Sequence, residues 1–337
     1  MKVGIINVTG YAGMELARIL YQHPEVEIVS ATGRSLAGKK LGEVFPHLAP
    51  YDLTITEEVD EADLIFSALP SASSAAACAP WVRRGVPVID IAADFRLKNP
   101  DDFQRWYGEP HPAPDLLEQA VYGLPELHRE RIIKSGVVAN PGCYPTAALL
   151  ALAPAYAEGL IEDQIVVDAK SGISGAGRGT GSSFGYSEVN ESVSAYRVEG
   201  HAHLPEIIQE LAGLQSGREP GLTFVPHLVP MTRGILVTCY APLTRPMTPL
   251  ELRSLYRSFY GTSPFTRVVD YPPATKYTLG NNMCLVYPTV DERTNTLISI
   301  GAIDNLMKGA AGQAVQNMNL MCGWPEETAL ESLAVYP

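Results

Sequence analysis

The sequence predicts two domains: an α/β domain built on a parallel sheet and an α+β domain with a mixed or antiparallel sheet. Three observations support this prediction. The chain has 337 residues, whereas single hydrophobic cores usually stop growing at about 250–300 residues. Strand-like and helix-like segments alternate over residues 1–95, which is typical of parallel strands joined by crossover helices. Beyond residue 160 the strand-like segments are longer and fewer helices separate them.

Short apolar runs in the first part of the chain predict the strands of the parallel sheet. We expect these strands at Val3 to Asn7, Val26 to Ala31, Asp63 to Leu69, Val86 to Ile91 and Val137 to Ala139. Helical spacing of apolar or small residues predicts helices at Gly13 to Gln22 and Ser73 to Arg84. The polar, proline-rich stretch from Leu97 to Gln119 predicts irregular surface chain.

The second part of the chain predicts a different arrangement. We expect strands at Ile165 to Lys170, Leu222 to His227, Gly234 to Pro242 and Thr296 to Ile303, and helices at Glu206 to Leu214 and Pro249 to Phe259. A final helix is predicted from Leu306 to Met321. It contains Gly309 and Gly312, which permit close packing of its backbone.

Composition excludes several classes of protein. The net charge of −12 argues against a nucleic-acid partner, because phosphate binding needs a basic surface. Five irregularly spaced cysteines do not form a disulfide framework. The N-terminus lacks the pattern of a signal peptide, and no apolar run approaches the ~20 residues of a membrane span. We therefore expect a reduced, cytoplasmic protein with no membrane partner.

Cys143 is the strongest candidate for a catalytic residue. It follows the turn Asn140-Pro141-Gly142 and lies four residues before the apolar stretch from Ala147 to Ala157. A thiol in the first turn of a helix faces unpaired N–H groups and the positive end of the helix dipole, which favour the thiolate. Pro145 suits the first helical position. A buried structural thiol is the alternative, and it is the interpretation we favour for the other four cysteines.

A glycine-containing turn near the N-terminus predicts a dinucleotide-binding domain of the Rossmann type. The segment Asn7 to Gly13 follows a strand and opens a helix, the setting in which such a turn holds a pyrophosphate. Its cofactor candidates are Gly10, Tyr11, Ala12 and Gly13. Gly10 allows the phosphate to approach the backbone, and Gly13 allows close packing of helix on strand. Asn7 stands where a first glycine is usual, although asparagine tolerates left-handed geometry.

The end of the second predicted strand indicates the type of cofactor. NAD enzymes usually carry an acidic residue there that binds the ribose 2′-hydroxyl. This chain has Arg34 and Ser35 instead, with Lys39 and Lys40 shortly after. A guanidinium and a hydroxyl suit a 2′-phosphate, so NADP is the predicted cofactor. The alternative is that Arg34 is a solvated surface charge.

Two further segments could complete a catalytic site. Histidines 201 and 203 could supply a base for Cys143, since a Cys–His pair transfers protons near neutral pH. If their segment is extended, the two rings point to opposite faces. A metal site formed by both histidines and Glu206 lacks a companion motif and is disfavoured. The loop from Ser171 to Arg178 resembles an anion cradle, with a plain hairpin connection as the alternative.

Taken together, these motifs resemble those of the N-acetyl-γ-glutamyl-phosphate reductases, within the aspartate-semialdehyde dehydrogenase-like group. The resemblance covers essentially the whole chain. Its landmarks are residues 9–13, 93–97, 122–126, 140–146, 171–178, 201–206, 226–234 and 308–314.

This resemblance implies the third step of arginine biosynthesis: NADPH-dependent reduction of N-acetylglutamyl 5-phosphate to the semialdehyde through a cysteine thioester. It implies Cys143 as nucleophile and His203 as acid/base. Additional cofactor residues would be Ser71, Gly175 and Asn305, and substrate residues would be Asn140, Ser174, Arg178, His201 and Glu206. Residues 1–143, completed by the C-terminal helix 305–337, would form the domain that binds NADP. Residues 144–304 would carry catalysis and assembly into a homodimer or homotetramer.

The sequence departs from the family pattern at two places, and two other functions are alternatives. Asn7 replaces a glycine, and Ser71-Ala72 stands where the family commonly has His-Gly. One rival is a reductase of aminoadipyl or glutamyl phosphate attached to an acidic carrier protein, which would need a basic docking surface. The other is an NADP-binding redox sensor without catalysis.

Overall fold

The computed structural model describes residues 1–178, 184–216 and 218–337, and its chain divides into two compact units. The first unit comprises Met1–Gly142 and Ala310–Glu331, and the second comprises Cys143–Gly309 and Ser332–Pro337. In the described part of the chain, no helix combines the length and the apolar character needed to cross a membrane.

The first unit contains a six-stranded parallel sheet with strand order β2-β1-β3-β4-β6-β5. Its strands are β1 (Lys2–Ile6), β2 (Glu27–Ala31), β3 (Leu64–Ser67), β4 (Val88–Asp90), β5 (Ala120–Tyr122) and β6 (Val137–Ala139). All residues of the four strands β3 to β6 are buried, as expected for a parallel sheet covered on both faces. The predicted α/β class is therefore confirmed, although the edge strand β5 was not predicted.

The helices of this unit are α1 (Tyr11–Leu20), α2 (Leu41–Val44), α3 (Ser74–Arg83), α4 (Pro100–Tyr107), α5 (Pro125–Ile132) and α10 (Gly312–Met321). Helices α1 to α5 connect the strands of this sheet, and α10 follows the last strand of the chain. The prediction of irregular chain from Leu97 to Gln119 was wrong for its first half. Asn99 caps α4 by accepting a hydrogen bond from Asp101 N–H, Pro100 opens the helix, and Phe103 is fully buried.

The second unit contains a mixed seven-stranded sheet with strand order β11-β12-β13-β10-β7-β9-β8. Its strands are β7 (Gln164–Ser171), β8 (Ser194–Ala195), β9 (Gly221–Leu228), β10 (Ile235–Pro242), β11 (Thr266–Val268), β12 (Cys284–Asp291) and β13 (Thr296–Ile303). The predicted α+β class is confirmed. The sequence patterns did not reveal β8, β11 and β12.

Helices cover one face of this sheet. They are α6 (Cys143–Ala157), α8 (Leu204–Leu214) and α9 (Pro249–Phe259), whereas the short helix α7 (Tyr186–Val189) has no buried residue. Helix α6 packs on β10, β12 and β13 and also contacts α8 and α9, so nearly all of its residues are buried. Along β10, buried and half-exposed residues alternate. The strands thus turn one side toward the helices and leave the other partly open.

Candidate active site

Cys143 is the first residue of α6 and is half-buried. The N–H groups of a helix's first turn lack intrahelical partners, so the thiol lies where a helix favours negative charge. Pro145 is the third residue of the helix rather than the first, but its missing N–H is still one that the helix would leave unpaired. Because α6 is buried along its length, this end of the helix is rigidly held.

An aromatic cluster surrounds the residue that follows Cys143. The ring of Tyr144 lies 5.4 Å from that of Phe224, 6.0 Å from that of His201 and 5.9 Å from that of His203. The hydroxyl of Tyr196 donates to the hydroxyl of Tyr144 at 3.3 Å. Burial, followed by the neighbouring Tyr196, raises the pKa of Tyr144, so Tyr144 is a neutral hydroxyl at physiological pH.

The two histidines lie side by side rather than on opposite faces. The chain turns at Ala202 and His203, and His203 has helical geometry as the residue before α8, so the extended alternative does not apply. The rings are 4.7 Å apart. His203 N–H donates to Nδ1 of His201 at 3.1 Å. Burial, with a smaller contribution from Arg197, lowers the pKa of His201 to about 4, so this ring is neutral at pH 7.

The predicted anion loop is a short 3₁₀ helix, Ile173–Ala176, that follows β7. Asn305 holds it in place. Its Nδ2 donates to Ser174 Oγ at 2.9 Å, and its Oδ1 accepts from Gly234 N–H at 2.8 Å. A methyl group on Gly175 would lie 3.8 Å from Asn305 Nδ2. The predicted site residues Ser174, Gly175 and Asn305 therefore lie together. The same loop ends at Arg178, which is exposed.

Glu206 is buried in the first turn of α8 and is 1% exposed. A carboxylate there complements the positive end of the helix dipole. Among the described residues, no group of three or more His, Cys, Asp or Glu side chains converges in a way that could hold a metal ion.

In the first unit, the glycine turn has the geometry expected of a phosphate-binding turn. Asn7 is left-handed with a φ of 66°, which explains how asparagine replaces a glycine there. Its side chain donates to Ala68 O at 2.8 Å and accepts from Thr9 Oγ1 at 2.9 Å. A methyl group on Gly13 would overlap Asn7 O and lie 2.8 Å from Val8 Cα, whereas one on Gly10 would meet only Asn7 Nδ2, at 3.8 Å. Gly13 is thus required for packing, and Gly10 leaves the backbone accessible.

Tyr11 and Ala12 form the first turn of the helix that follows. The residues predicted to select NADP lie close to this turn. A methyl group on Gly33 would overlap Thr9 Cγ2, and the next two residues, Arg34 and Ser35, are exposed at the start of a 3₁₀ helix. Lys40 instead forms an ion pair with Asp52, in which its Nζ lies 2.6 Å from Asp52 Oδ1.

Ser71 is exposed in the loop before α3. Its neighbour Ala72 has a φ of 65°, a left-handed conformation that glycine adopts without strain. Asp94 anchors the loop, because its carboxylate accepts hydrogen bonds from the N–H groups of Ala72, Ser74 and Ala75 at 2.8–2.9 Å.

Asp90 is a buried carboxyl group whose importance the sequence did not reveal. Its Oδ1 accepts from Ser74 Oγ at 2.5 Å and from Ala92 N–H at 3.1 Å, whereas its buried Oδ2 has no hydrogen-bond partner among the residues that the structure describes. Burial, followed by the charge of Asp94, raises the pKa of Asp90 to about 7. Its only sequence signal was its position at the end of an apolar strand.

The Asn140 side chain is engaged with the C-terminal part of the first unit. Its Nδ2 donates to Ala310 O at 3.0 Å, and its Oδ1 accepts from Asn317 Nδ2 at 3.1 Å. Asn140 is fully buried. The Asn140 side chain therefore has a structural role, in addition to the substrate role predicted from the sequence.

Comparisons with known proteins agree with this architecture. Residues 2–135 match the family model "Semialdehyde dehydrogenase, NAD binding domain", and residues 143–305 match "Semialdehyde dehydrogenase, dimerisation domain". The aspartate-semialdehyde dehydrogenase II of Vibrio cholerae has the same fold, with a TM-score of 0.73, 17% identity and coverage of 96% of this chain and 98% of that one. An aspartate-semialdehyde dehydrogenase from Candida albicans, described with NADP, has a TM-score of 0.70 at 17% identity and coverage of 95% and 98%.

Much more similar sequences are also known. The N-acetyl-γ-glutamyl-phosphate reductase of Dehalococcoides mccartyi is 55% identical over 100% of this chain and 99% of that protein. The proteins of the same name from Pelotomaculum thermopropionicum and Moorella thermoacetica are each 48% identical over 100% of this chain, and the match covers 99% and 100% of those proteins. Identity at this level over the full length shows common descent and a common fold. The chain therefore belongs to the N-acetyl-γ-glutamyl-phosphate reductase family of semialdehyde dehydrogenases.

Proposed function

We propose that this protein reduces N-acetyl-L-glutamyl 5-phosphate to N-acetyl-L-glutamate 5-semialdehyde with NADPH, releasing phosphate, as in arginine biosynthesis. The observation that carries this proposal is the location of Cys143 at the start of the buried helix α6, with the ring of His203 packed 5.9 Å from that of the adjacent Tyr144. The full-length similarity to reductases of that name supports the choice of substrate.

In the proposed reaction, Cys143 is the nucleophile. Its thiol proton passes to His203, and the sulfur attacks the carbonyl carbon of the acyl phosphate. The carbon–oxygen bond to phosphate then breaks, inorganic phosphate leaves, and a thioester remains on Cys143. Backbone N–H groups at the start of α6 stabilise the oxyanion, a contribution often worth ~3–4 kcal/mol per donor.

When bound, NADPH supplies the hydride that reduces the thioester carbon. The resulting oxyanion collapses to the aldehyde and expels the sulfur of Cys143, which takes its proton back from His203. Cys143 and His203 thus regain their starting protonation states after one turnover.

We assign the proton transfers to His203 rather than His201. His201 Nδ1 already accepts the His203 N–H, and its pKa of about 4 makes its protonated form too acidic to persist at pH 7. His201 instead fixes the backbone at His203 and contributes to the wall of the substrate site. In this way a neutral, buried histidine orients the catalytic one.

The loop from Ser171 to Arg178 would bind the phosphate of the substrate through Ser174 and Arg178, and its Gly175 would contact the cofactor. Backbone N–H groups and the Ser174 hydroxyl provide neutral donors, and a guanidinium can form a bidentate contact with phosphate. Asn305 holds this loop through Ser174 and would also lie near the nicotinamide. Glu206 and Asn140 complete the proposed substrate residues. Because the Asn140 side chain is bonded to Ala310 and Asn317, it would act by holding the turn that precedes Cys143.

The first unit would bind the cofactor. The left-handed Asn7, the open Gly10 and the tightly packed Gly13 fit a pyrophosphate at the start of α1, where Tyr11 and Ala12 supply further N–H groups. Exposed Arg34 and Ser35 fit a 2′-phosphate, and Ser71 would border the cofactor. The proposed cofactor is therefore NADP rather than NAD.

The partly open face of the second sheet would form a homodimer. Val166, Tyr240 and Ile298 are cross-strand neighbours on this face, and Val166 and Tyr240 are 40% and 38% exposed. A contiguous apolar area of this kind is typical of an interface. The proposed location is the cytoplasm, in accordance with the finding that none of the five cysteines, all within the described chain, forms a disulfide.

The test is phosphate-dependent reduction of NADP⁺ with N-acetylglutamate semialdehyde, comparing the natural chain with Cys143→Ser. We expect turnover that the substitution reduces by at least about a thousandfold, since it removes the covalent route. Failure of the well-folded natural protein to turn over this aldehyde would refute the proposed substrate. Undiminished turnover by Cys143→Ser would refute the thioester mechanism.

A further inference from the structure

Gly309 lies directly against the proposed nucleophile. A methyl group replacing its α-hydrogen would lie 2.9 Å from Cys143 Cβ and 3.3 Å from Ile303 Cδ1. The first of these distances is well inside van der Waals contact between carbon atoms, which is optimal near 3.5–4.0 Å. Any side chain at position 309 would therefore displace Cys143 or the backbone of its own turn.

The turn that contains Gly309 has unusual geometry. Residues Met307–Ala311 form a π-helical turn, in which Gly309 N–H donates to Asp304 O at 3.0 Å, five residues earlier. Turns of this kind are rare and are often found at functional sites. The extra residue in the turn changes which side chains face α6, and here it brings a glycine against the cysteine.

Asp304 fixes the start of this turn. Its carboxylate is fully buried and accepts hydrogen bonds from the N–H groups of Leu306 and Met307 on Oδ1 and from that of Gly280 on Oδ2, at 2.8–3.2 Å. The next residue, Asn305, binds Ser174 and Gly234. A single segment, residues 304–309, thus contacts both the proposed phosphate loop and the proposed nucleophile.

We infer that Gly309 is a positioning residue for Cys143, and that the π-helical turn sets the distance between the thiol and the loop at Ser174. This inference rests on the proposed function, since it assumes that Cys143 is the nucleophile. The absence of a side chain at Gly309 lets the turn approach α6 closely enough to hold the cysteine in one orientation. Misplacement of a reacting group by about 1 Å can cost about a hundredfold in rate.

The experiment compares Gly309→Ala with Gly213→Ala as a matched control. Gly213 lies in α8, and a methyl group there would meet nothing within 4 Å. We expect Gly309→Ala to lower kcat about 10- to 100-fold while NADPH binds as before. The pH profile of Cys143 alkylation by iodoacetamide, read by peptide mass spectrometry, should shift because the sulfur leaves its place at the helix start. Gly213→Ala should match the natural protein in both measurements.

If Gly309→Ala does not fold, a second variant still tests the positioning role of Gly309. Ile303→Val removes Cδ1, one of the two side-chain atoms that the new methyl group would meet. Combined with Gly309→Ala, it should recover part of the lost kcat. Failure of both variants to fold would overturn the inference, since Gly309 would then serve folding rather than positioning.

The remaining outcomes separate this inference from the proposed function. If Cys143→Ser abolishes turnover but Gly309→Ala leaves both kcat and the alkylation profile unchanged, the positioning role is refuted and the mechanism stands. If Cys143→Ser retains turnover, the proposed mechanism fails and the role of Gly309 fails with it.

Discussion

His203 donates its backbone N–H to Nδ1 of His201 at 3.1 Å, so one histidine of the pair acts as a hydrogen-bond acceptor for the other. This bond requires Nδ1 of His201 to be unprotonated and assigns its proton to Nε2. Burial lowers the pKa of the same ring to about 4, which maintains that state. The two residues therefore differ in chemistry despite their close spacing in the sequence.

We predict that His203→Asn lowers kcat by about 10²–10⁴-fold, the range typical of a lost acid/base group. His201→Asn should lower it much less, because the asparagine oxygen can take the place of Nδ1 and still accept the His203 N–H. Steady-state kinetics of the two variants measure the difference. Equal losses of kcat in both would contradict the assignment of proton transfer to His203.

The lowered pKa of His201 also predicts a pH dependence of stability. The unfolded chain binds a proton at this position below pH 6.5, whereas the folded protein does so only near pH 4. The stabilising contribution is therefore complete above pH 6.5 and is lost as the pH falls toward 4, by an amount on the order of 3 kcal/mol. The melting temperature of the natural protein should fall more steeply over this range than that of His201→Asn. Parallel curves would show that His201 titrates normally.

The raised pKa of Asp90 predicts the opposite pH dependence of stability. Its pKa is raised to about 7 by burial and by Asp94, so the folded protein holds a proton that the unfolded chain releases near pH 4. The stabilising contribution is complete below pH 4 and is lost as the pH rises through 7. Asp90→Asn removes this titration, so the stability of the variant relative to the natural protein should rise between pH 5 and pH 8.5. Melting temperatures at the two pH values provide the test, and a constant difference between the proteins would contradict it.

Arg34 should determine the preference for NADPH. Arg34→Ala removes a charged contact with the 2′-phosphate, worth about 1.5–3 kcal/mol, and should weaken NADPH binding about 10- to 150-fold while leaving NADH binding nearly unchanged. Arg105→Ala removes another exposed arginine of the same unit and is the matched control. Fluorescence titration with both cofactors measures the effect. An equal loss of affinity for NADPH and NADH would place Arg34 away from the 2′-phosphate.

Tyr240→Asp should disrupt the proposed homodimer. Tyr240 is 38% exposed and lies between Val166 and Ile298 on neighbouring strands, where a buried unpaired carboxylate would be costly. Light scattering after size-exclusion chromatography should show the mass of a monomer. Leu250→Asp, on the helix-covered side of the same sheet, is the control, because Leu250 is 65% exposed on α9. If Tyr240→Asp retains the mass of the natural protein, the interface lies elsewhere.

Features that depend on neighbours along the chain could be predicted from the sequence. The strand–turn–helix at Asn7 to Gly13 was one, since left-handed geometry and close helix packing depend on the residue types within the turn itself. The position of Cys143 at a helix start was another, because Gly142 and Pro145 limit where a helix can begin. Alternation and apolar runs likewise indicated the main strands of both sheets.

Other features were decided by contacts between residues far apart in the sequence. The burial of His201 against Tyr144 and Phe224, with its ring tilted beside that of His203, depends on distant strands and helices that no local pattern revealed. Helix α4 was missed because its polar exterior conceals one buried residue, Phe103. The approach of Gly309 to Cys143 joins residues separated by nearly half of the chain.

By itself, the sequence determined the class of each domain, the family and the candidate nucleophile, because each depends on local residue types and their order. Only the tertiary structure decided that His201 stays neutral, that the pKa of Asp90 is raised and that Gly309 faces the thiol. The physical reason is that burial and charge are properties of a packed environment. Residues such as His201 and Asp90 acquire their shifted pKa values only when distant parts of the chain exclude water from them.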